Sequence, residues 1–293
     1  MTFPVFKKTS RAERIFILAA LVVVGFILSA IVGVVATIVS PTNELSTLRI
    51  SQISSQILTF VLPPLLYVCL VKDKPIKSLG FTKTSLMWLL LGILMMYAVL
   101  PFNDILTKWN AAFKFPESMS AVEEILKTLQ EEASRLTDKM LNVSNVSGLI
   151  INLIMIAGLA ALGEELLFRS LLQPFLIKLC KNVHIGIIIT GAIFSIAHFE
   201  FYGLLPRWTL GILLGYMFYY SRSIWVPMAM HFVNNATAVV IYYLNNKGLI
   251  DVDVESFGQT NILFVIFSVI VMIFLFWITV RCYNKENKQI VNE

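Results

Sequence analysis

The sequence predicts an all-α polytopic membrane protein of about eight transmembrane helices enclosing an intramembrane polar cavity. Three observations support this. Of its 293 residues 57% are hydrophobic and only 14% charged, with a mean hydropathy of +0.79, whereas soluble domains are about 45–50% apolar and 25% charged. Apolar runs near 20 residues, the length that crosses a bilayer, recur along the chain. Ionisable and amide side chains interrupt several of these runs, where a charge costs roughly 2.5–3.5 kcal/mol on insertion scales and must face a cavity or a partner.

The basic N-terminus, with Lys7, Lys8, Arg11 and Arg14, precedes an apolar run over 15–39. That run exceeds the roughly 7–15 residues of a signal-peptide core and reads as a first span. Further runs cover 54–71, 85–100, 148–179, 183–199, 204–220, 224–244 and 261–280. The fifth and sixth are short enough to be tilted or re-entrant, so the count is seven to nine. Residues 1–146 hold three spans and a long connector, 147–244 form a core of polar-bearing helices, and 245–293 add a last span and a tail.

With a cytoplasmic N-terminus, the inside segments hold Lys7, Lys8, Arg11, Arg14, Lys72, Lys74, Lys77, Lys83, Lys178, Lys181, Arg222, Arg281, Lys285 and Lys288, fourteen of the 23 basic residues. The short outside connectors hold only Arg49, Arg207 and Lys247. The positive-inside rule therefore predicts a multi-pass protein of the cell membrane with both termini cytoplasmic. Because the basic residues lie in connectors, the net charge of +5 reads as a topology signal and gives no nucleic-acid patch.

Cys69, Cys180 and Cys282 form no CxxC pair, so neither a disulfide framework nor a thiolate zinc site is indicated. No internal repeat suggests a transporter built from inverted halves. In the long connector Met119, Val122, Leu126, Leu129, Ala133, Leu136 and Met140 recur at steps of three and four, with Glu123, Glu124, Glu131 and Glu132 between them. This pattern predicts an amphipathic helix on the protein or the outer membrane surface, or else a lid or docking element.

The polar residues within the runs are Glu164, Glu165 and Arg169 in the fourth, His198 in the fifth, and His231 with Asn235 in the seventh. At 1.5 Å of rise per residue, Glu164 lies about 21 Å from Lys178, His198 about 26 Å from Lys181 and Asn235 about 20 Å from Arg222. His231 is shallower, at about 14 Å, and one turn from Asn235. Glu165 and Arg169, four apart, can pair on one face, which leaves Glu164 rotated about 100° and without a partner on its own helix.

An unpaired carboxylate beside a neutral histidine suits general-base activation of water, and a second histidine with an amide suits oxyanion stabilisation. Glu164, His198 and His231 could equally supply zinc ligands, although HExxH is absent. Ser195 lacks a nucleophile motif. Interhelical hydrogen bonding and a proton pathway would use the same residue types.

The ordered motifs EExxxR (164–169), FxxxH (194–198) and HxxxN (231–235), with the glycine-bearing stretch around Gly211 and Gly215 and the turn from Ser223 to Pro227, resemble the CPBP family of intramembrane proteases. That family includes type II CAAX prenyl endopeptidases and bacterial Abi proteins. The resemblance implies Glu164 as the water-activating carboxylate, His198 as its partner, His231 and Asn235 as the oxyanion pair, and Glu165 and Arg169 as supporting residues. It also implies a hydrophobic or lipidated peptide, or a membrane-protein substrate, a conical cavity open to the cytosol and bilayer, and no required cofactor, with zinc as the alternative. From a different class, a non-catalytic scaffold would bind a sensor kinase, exporter or bacteriocin-type peptide. The oligomeric state is not implied.

Overall fold

The computed structural model describes residues 6, 8–40, 42–72, 74–251 and 261–292. Lys7 lies outside the described residues, and only the backbone of Arg11 is described. Among the described residues there is no strand. The principal elements are α1 (Arg11–Val39), α2 (Glu44–Val71), α3 (Leu86–Ala111), α4 (Ser120–Leu141), α5 (Val146–Cys180), α6 (Val183–Ile196), α7 (Leu204–Ser221), α8 (Trp225–Asn246) and α9 (Ile262–Asn292).

Helices α1, α2, α3, α5 and α9 are long and apolar enough to cross a membrane, and the protein is a multi-pass membrane protein of all-α class. The others expected to span are shorter or more polar. At 14 residues α6 rises about 21 Å, short of the roughly 30 Å hydrocarbon core. Just beyond its end Phe199 adopts a left-handed φ of 56° and the chain turns back into α7.

Several helices outrun their apolar stretches, because caps rather than hydropathy set their ends. The side chain of Asn43 accepts the Ser46 N–H at the start of α2, ten residues before the apolar run begins. A capping box between Ser10 and Glu13 starts α1. Helix α2 widens into a π segment at Gln56–Val61, just before Pro63 and Pro64, where a prolyl ring cannot sit in the regular i−4 ladder. Helix α5 carries two π segments, Leu153–Leu159 and Leu166–Leu172. Such widened turns often mark functional sites.

Phe6 and the tail of α9 share one face. Phe6 N–H donates to the Leu70 carbonyl at the end of α2, and Trp88 at the start of α3 donates to Glu286 in the tail of α9 at 2.9 Å. The α7–α8 turn joins that face through a bond from Ile224 N–H to the Gly80 carbonyl. This end is filled by a buried apolar cluster that includes Val68, Val71, Leu79, Leu166, Ile224 and Met228.

Two close approaches set the interior. A Cβ on Gly191 of α6 would stand 3.0 Å from the Ile212 nitrogen and 3.2 Å from the Gly211 carbonyl carbon, so α6 and α7 touch backbone to backbone as small residues permit in membranes. Backbone atoms cannot move aside as a side chain can. Gly191→Val should cost about 1–3 kcal/mol, the range for overpacking, read as a lower melting temperature in detergent; an unchanged melting temperature would contradict this packing. On α5, Gly163 brings that helix against the π segment of α2, where an added Cβ would meet Phe60 at 2.8 Å and Val61 at 3.1 Å.

Candidate active site within the bundle

Glu164 sits at the middle of α5, its side chain 9% exposed. Its Oε2 lies 3.8 Å from His198 Nε2 and 3.9 Å from His231 Nε2. Both distances are too long for direct hydrogen bonds. Helices α5 and α8 and the turn that follows α6 thus deliver these atoms to one point.

The ring orientations follow from what each Nδ1 touches. His198 Nδ1 is 2.8 Å from the Phe194 carbonyl oxygen, which can only accept, so Nδ1 carries a proton and Nε2 is turned toward Glu164. That bond spans four residues and accounts for the FxxxH spacing. His231 Nδ1 is 3.0 Å from Glu165 Oε1, and the same reasoning turns its Nε2 toward Glu164.

Glu165 has a second partner. Its Oε2 lies 3.0 Å from Arg169 Nε, and both side chains are fully buried. The contact is an ion pair by distance without hydrogen-bond alignment. The guanidinium carbon of Arg169 also sits 4.9 Å from the centroid of the Phe194 ring, a cation–π contact. Phe194 packs edge-on against both His198 and His231. The ion pair expected from the sequence therefore forms, and it also holds the His231 ring.

Glu164 is less isolated than the sequence suggests. No partner comes from its own helix, but Gln56 Nε2 of α2 donates to Glu164 Oε1 at 3.2 Å. The apolar span containing Gln56 offered one signal, a buried amide inside it, and no motif pointed there. Asn235 Nδ2 donates to the Ile156 carbonyl at 3.0 Å, within a π segment of α5, and Asn235 Oδ1 accepts from Asn234 at 3.1 Å. Asn235 therefore lies beside the site as half of an amide pair, and its neighbour Asn234 was missed by the sequence reading.

A cavity of about 360 Å³ contains Glu164, His198, His231, Asn234 and Asn235. Its remaining wall includes Thr137 and Leu141 of α4, Arg207 at the start of α7 and Tyr242 near the end of α8. These residues lie on the side of Glu164 away from the termini. This cavity extends beneath α4, while a second, of about 680 Å³, opens on the half nearer the terminal face between Lys83, Ala161, Trp225, Met228 and Phe232.

Helix α4 is bound down as a roof. Asn152 donates to the Met140 carbonyl at 2.7 Å, Asn246 to the Leu141 carbonyl at 3.0 Å, and Tyr242 to Asp138 at 3.2 Å. Lys139 pairs with Glu44 at 2.5 Å. His184, by contrast, is outside the site, against the Tyr216 hydroxyl at 2.8 Å.

As spaced, no group of three or more His, Cys, Asp or Glu among the described residues could hold a metal ion. The donor types of Glu164, His198 and His231 fit a zinc site, but their spacing is looser: donors around a tetrahedral zinc with bonds of about 2.0–2.2 Å stand about 3.4 Å apart.

Residues 146–237 match the family model described as type II CAAX prenyl endopeptidase Rce1-like. The family resemblance read from the three motifs is therefore shown over this segment, which contains all of them. An uncharacterized protein of Bacillus subtilis (strain 168), YpbD, is 34% identical over 92 residues, covering 29% of this chain and 42% of that protein. The chain thus matches less than half the length of that relative. No solved structure matches.

Proposed function

We propose that the protein is an intramembrane endopeptidase that hydrolyses a peptide bond of a hydrophobic or lipidated peptide or membrane protein with water activated by Glu164 and His198. One observation supports it above all: Glu164 Oε2 and the Nε2 atoms of two histidines from distant parts of the chain converge in a buried cavity. The family match over 146–237 supports the same class of reaction.

In the step envisaged, a water held by His198 Nε2 loses a proton to Glu164, and its oxygen adds to the substrate carbonyl carbon. The Asn234–Asn235 amides supply N–H groups to the resulting oxyanion. His231 joins them when it carries both protons, with Glu165 as its counter-charge. The carbon–nitrogen bond then breaks as Glu164 passes its proton to the departing amine, giving a carboxylic acid, which retains the second proton of the water, and a free amine.

The terminal face holds most of the basic residues, so we assign it to the cytoplasm. A substrate would then reach Glu164 from the outer half of the bilayer, past α4, rather than from the cytoplasmic leaflet.

The test compares membrane peptides by mass spectrometry from cells carrying the wild type or Glu164→Gln at equal expression. Peptides that depend on Glu164 would identify the substrate; identical profiles would defeat the reading. A scaffold, in contrast, would keep its phenotype in both Glu164→Gln and His198→Ala.

Zinc, if bound by Glu164, His198 and His231, would supply an activated hydroxide. We place the metal-free route first. Purified protein should contain far less than one zinc per chain by elemental analysis and should keep its cleavage rate after dialysis against EDTA. Stoichiometric zinc, with loss of activity on chelation and recovery on adding zinc back, would reverse that order.

A further inference from the structure

We infer that Gln56 is a positioning residue for this reaction, supplied by the N-terminal half of the chain outside the segment that matches the family model. The inference rests on the reading of Glu164 as the base. Gln56 is 5% exposed on α2, and its Nε2 holds Glu164 Oε1 at 3.2 Å. A carboxylate pinned at one oxygen has its other oxygen fixed in direction, and here that oxygen is the one between His198 and His231.

Two features of the surroundings show that this contact is built in. Gln56 opens the π segment of α2, and that segment meets α5 at Gly163, next to Glu164, where even a methyl group would collide. The close approach lets a side chain as short as glutamine reach across the two helices. In addition, Gln56 Oε1 is buried and has no hydrogen-bond partner among the described residues. A buried acceptor left open costs stability, and its retention beside the carboxylate calls for a functional reason.

Gln56 touches the base and acts on the chemistry through it. Its loss should therefore lower turnover with little effect on peptide binding. Methionine has nearly the shape of glutamine and no N–H, so Gln56→Met isolates the hydrogen bond from packing.

The experiment uses the full chain in detergent and a fluorescence-quenched peptide spanning the cleavage sequence found by the Glu164-dependent profiling. For Gln56→Met we expect kcat to fall about 10- to 100-fold, the effect of removing a hydrogen bond to a charged group. KM should stay within about twofold and the melting temperature should not change. Gln56→Asn, which keeps the amide on a shorter stem, should recover part of kcat and guards against a folding failure of the methionine variant. Full kcat in either folded variant lacking the Glu164 contact, or a rise in KM alone, would overturn the role of Gln56. If Glu164→Gln is itself as active as the wild type, the base assignment falls and this inference with it.

Discussion

Glu164→Gln should lower the cleavage rate by about 10²- to 10⁴-fold, the usual contribution of a positioned general base, while leaving the melting temperature within a degree or two of the wild type. The substitution keeps shape and hydrogen bonding, because the Gln56 N–H that now reaches Glu164 Oε1 can donate equally to an amide oxygen. It removes only the capacity to take a proton. Stability should be spared because Glu164 has no cation of its own to leave stranded: Arg169 contacts Glu165, and both histidine nitrogens stand beyond hydrogen-bond distance. The measurement pairs kcat on the quenched peptide with thermal unfolding in detergent. A rate within threefold of the wild type, in folded protein, would remove Glu164 from the chemistry.

The same experiment on Glu165→Gln should behave differently, which separates two adjacent and chemically identical residues. Glu165 is fully buried and touches both Arg169 and His231. Its neutralisation strands the guanidinium as well as disturbing the ring, so stability and rate should fall together. The sequence alone predicted this division from the 100° step between neighbours on a helix. What it could not provide was the second task of Glu165, since the contact to His231 depends on how α5 and α8 pack.

That contrast marks where the sequence was informative. Residues four apart on one helix, such as Glu165 with Arg169 and Phe194 with His198, are neighbours by helical period alone, and both contacts are present. Depth counted from basic anchors placed Glu164, His198 and Asn235 at one level, and they share one cavity. Contacts across helices without a motif were invisible: Gln56 lies 108 residues from Glu164 in sequence, and the two meet where Gly163 brings α5 close to α2. Helix boundaries were missed wherever a polar first turn, as at Glu44, carried the helix beyond the apolar run.

Arg169→Met should destabilise the protein by about 3–5 kcal/mol, the cost of breaking a buried ion pair from one side. The Glu165 carboxylate would remain wholly buried, with His231 Nδ1 as its one remaining polar contact. Glu165→Gln should be costly for the converse reason, since the Arg169 guanidinium makes no aligned hydrogen bond and would keep only the face of Phe194. The double replacement discriminates between causes. With both charges gone neither member of the pair is left uncompensated, and replacing both members of such a pair is often close to neutral, so the double variant should be more stable than either single one. It should also regain part of the activity, because the side-chain oxygen of a glutamine at 165 can still accept the His231 Nδ1 proton and keep Nε2 aimed at Glu164. Thermal unfolding in detergent measures the first effect and kcat the second. If the double variant is no more stable than the singles, the pair stabilises through packing and not through charge compensation. If it is stable but inactive, the charge of Glu165 itself, beyond its hydrogen bond, is needed at His231, which is the result expected if that ring must carry both protons when the oxyanion forms.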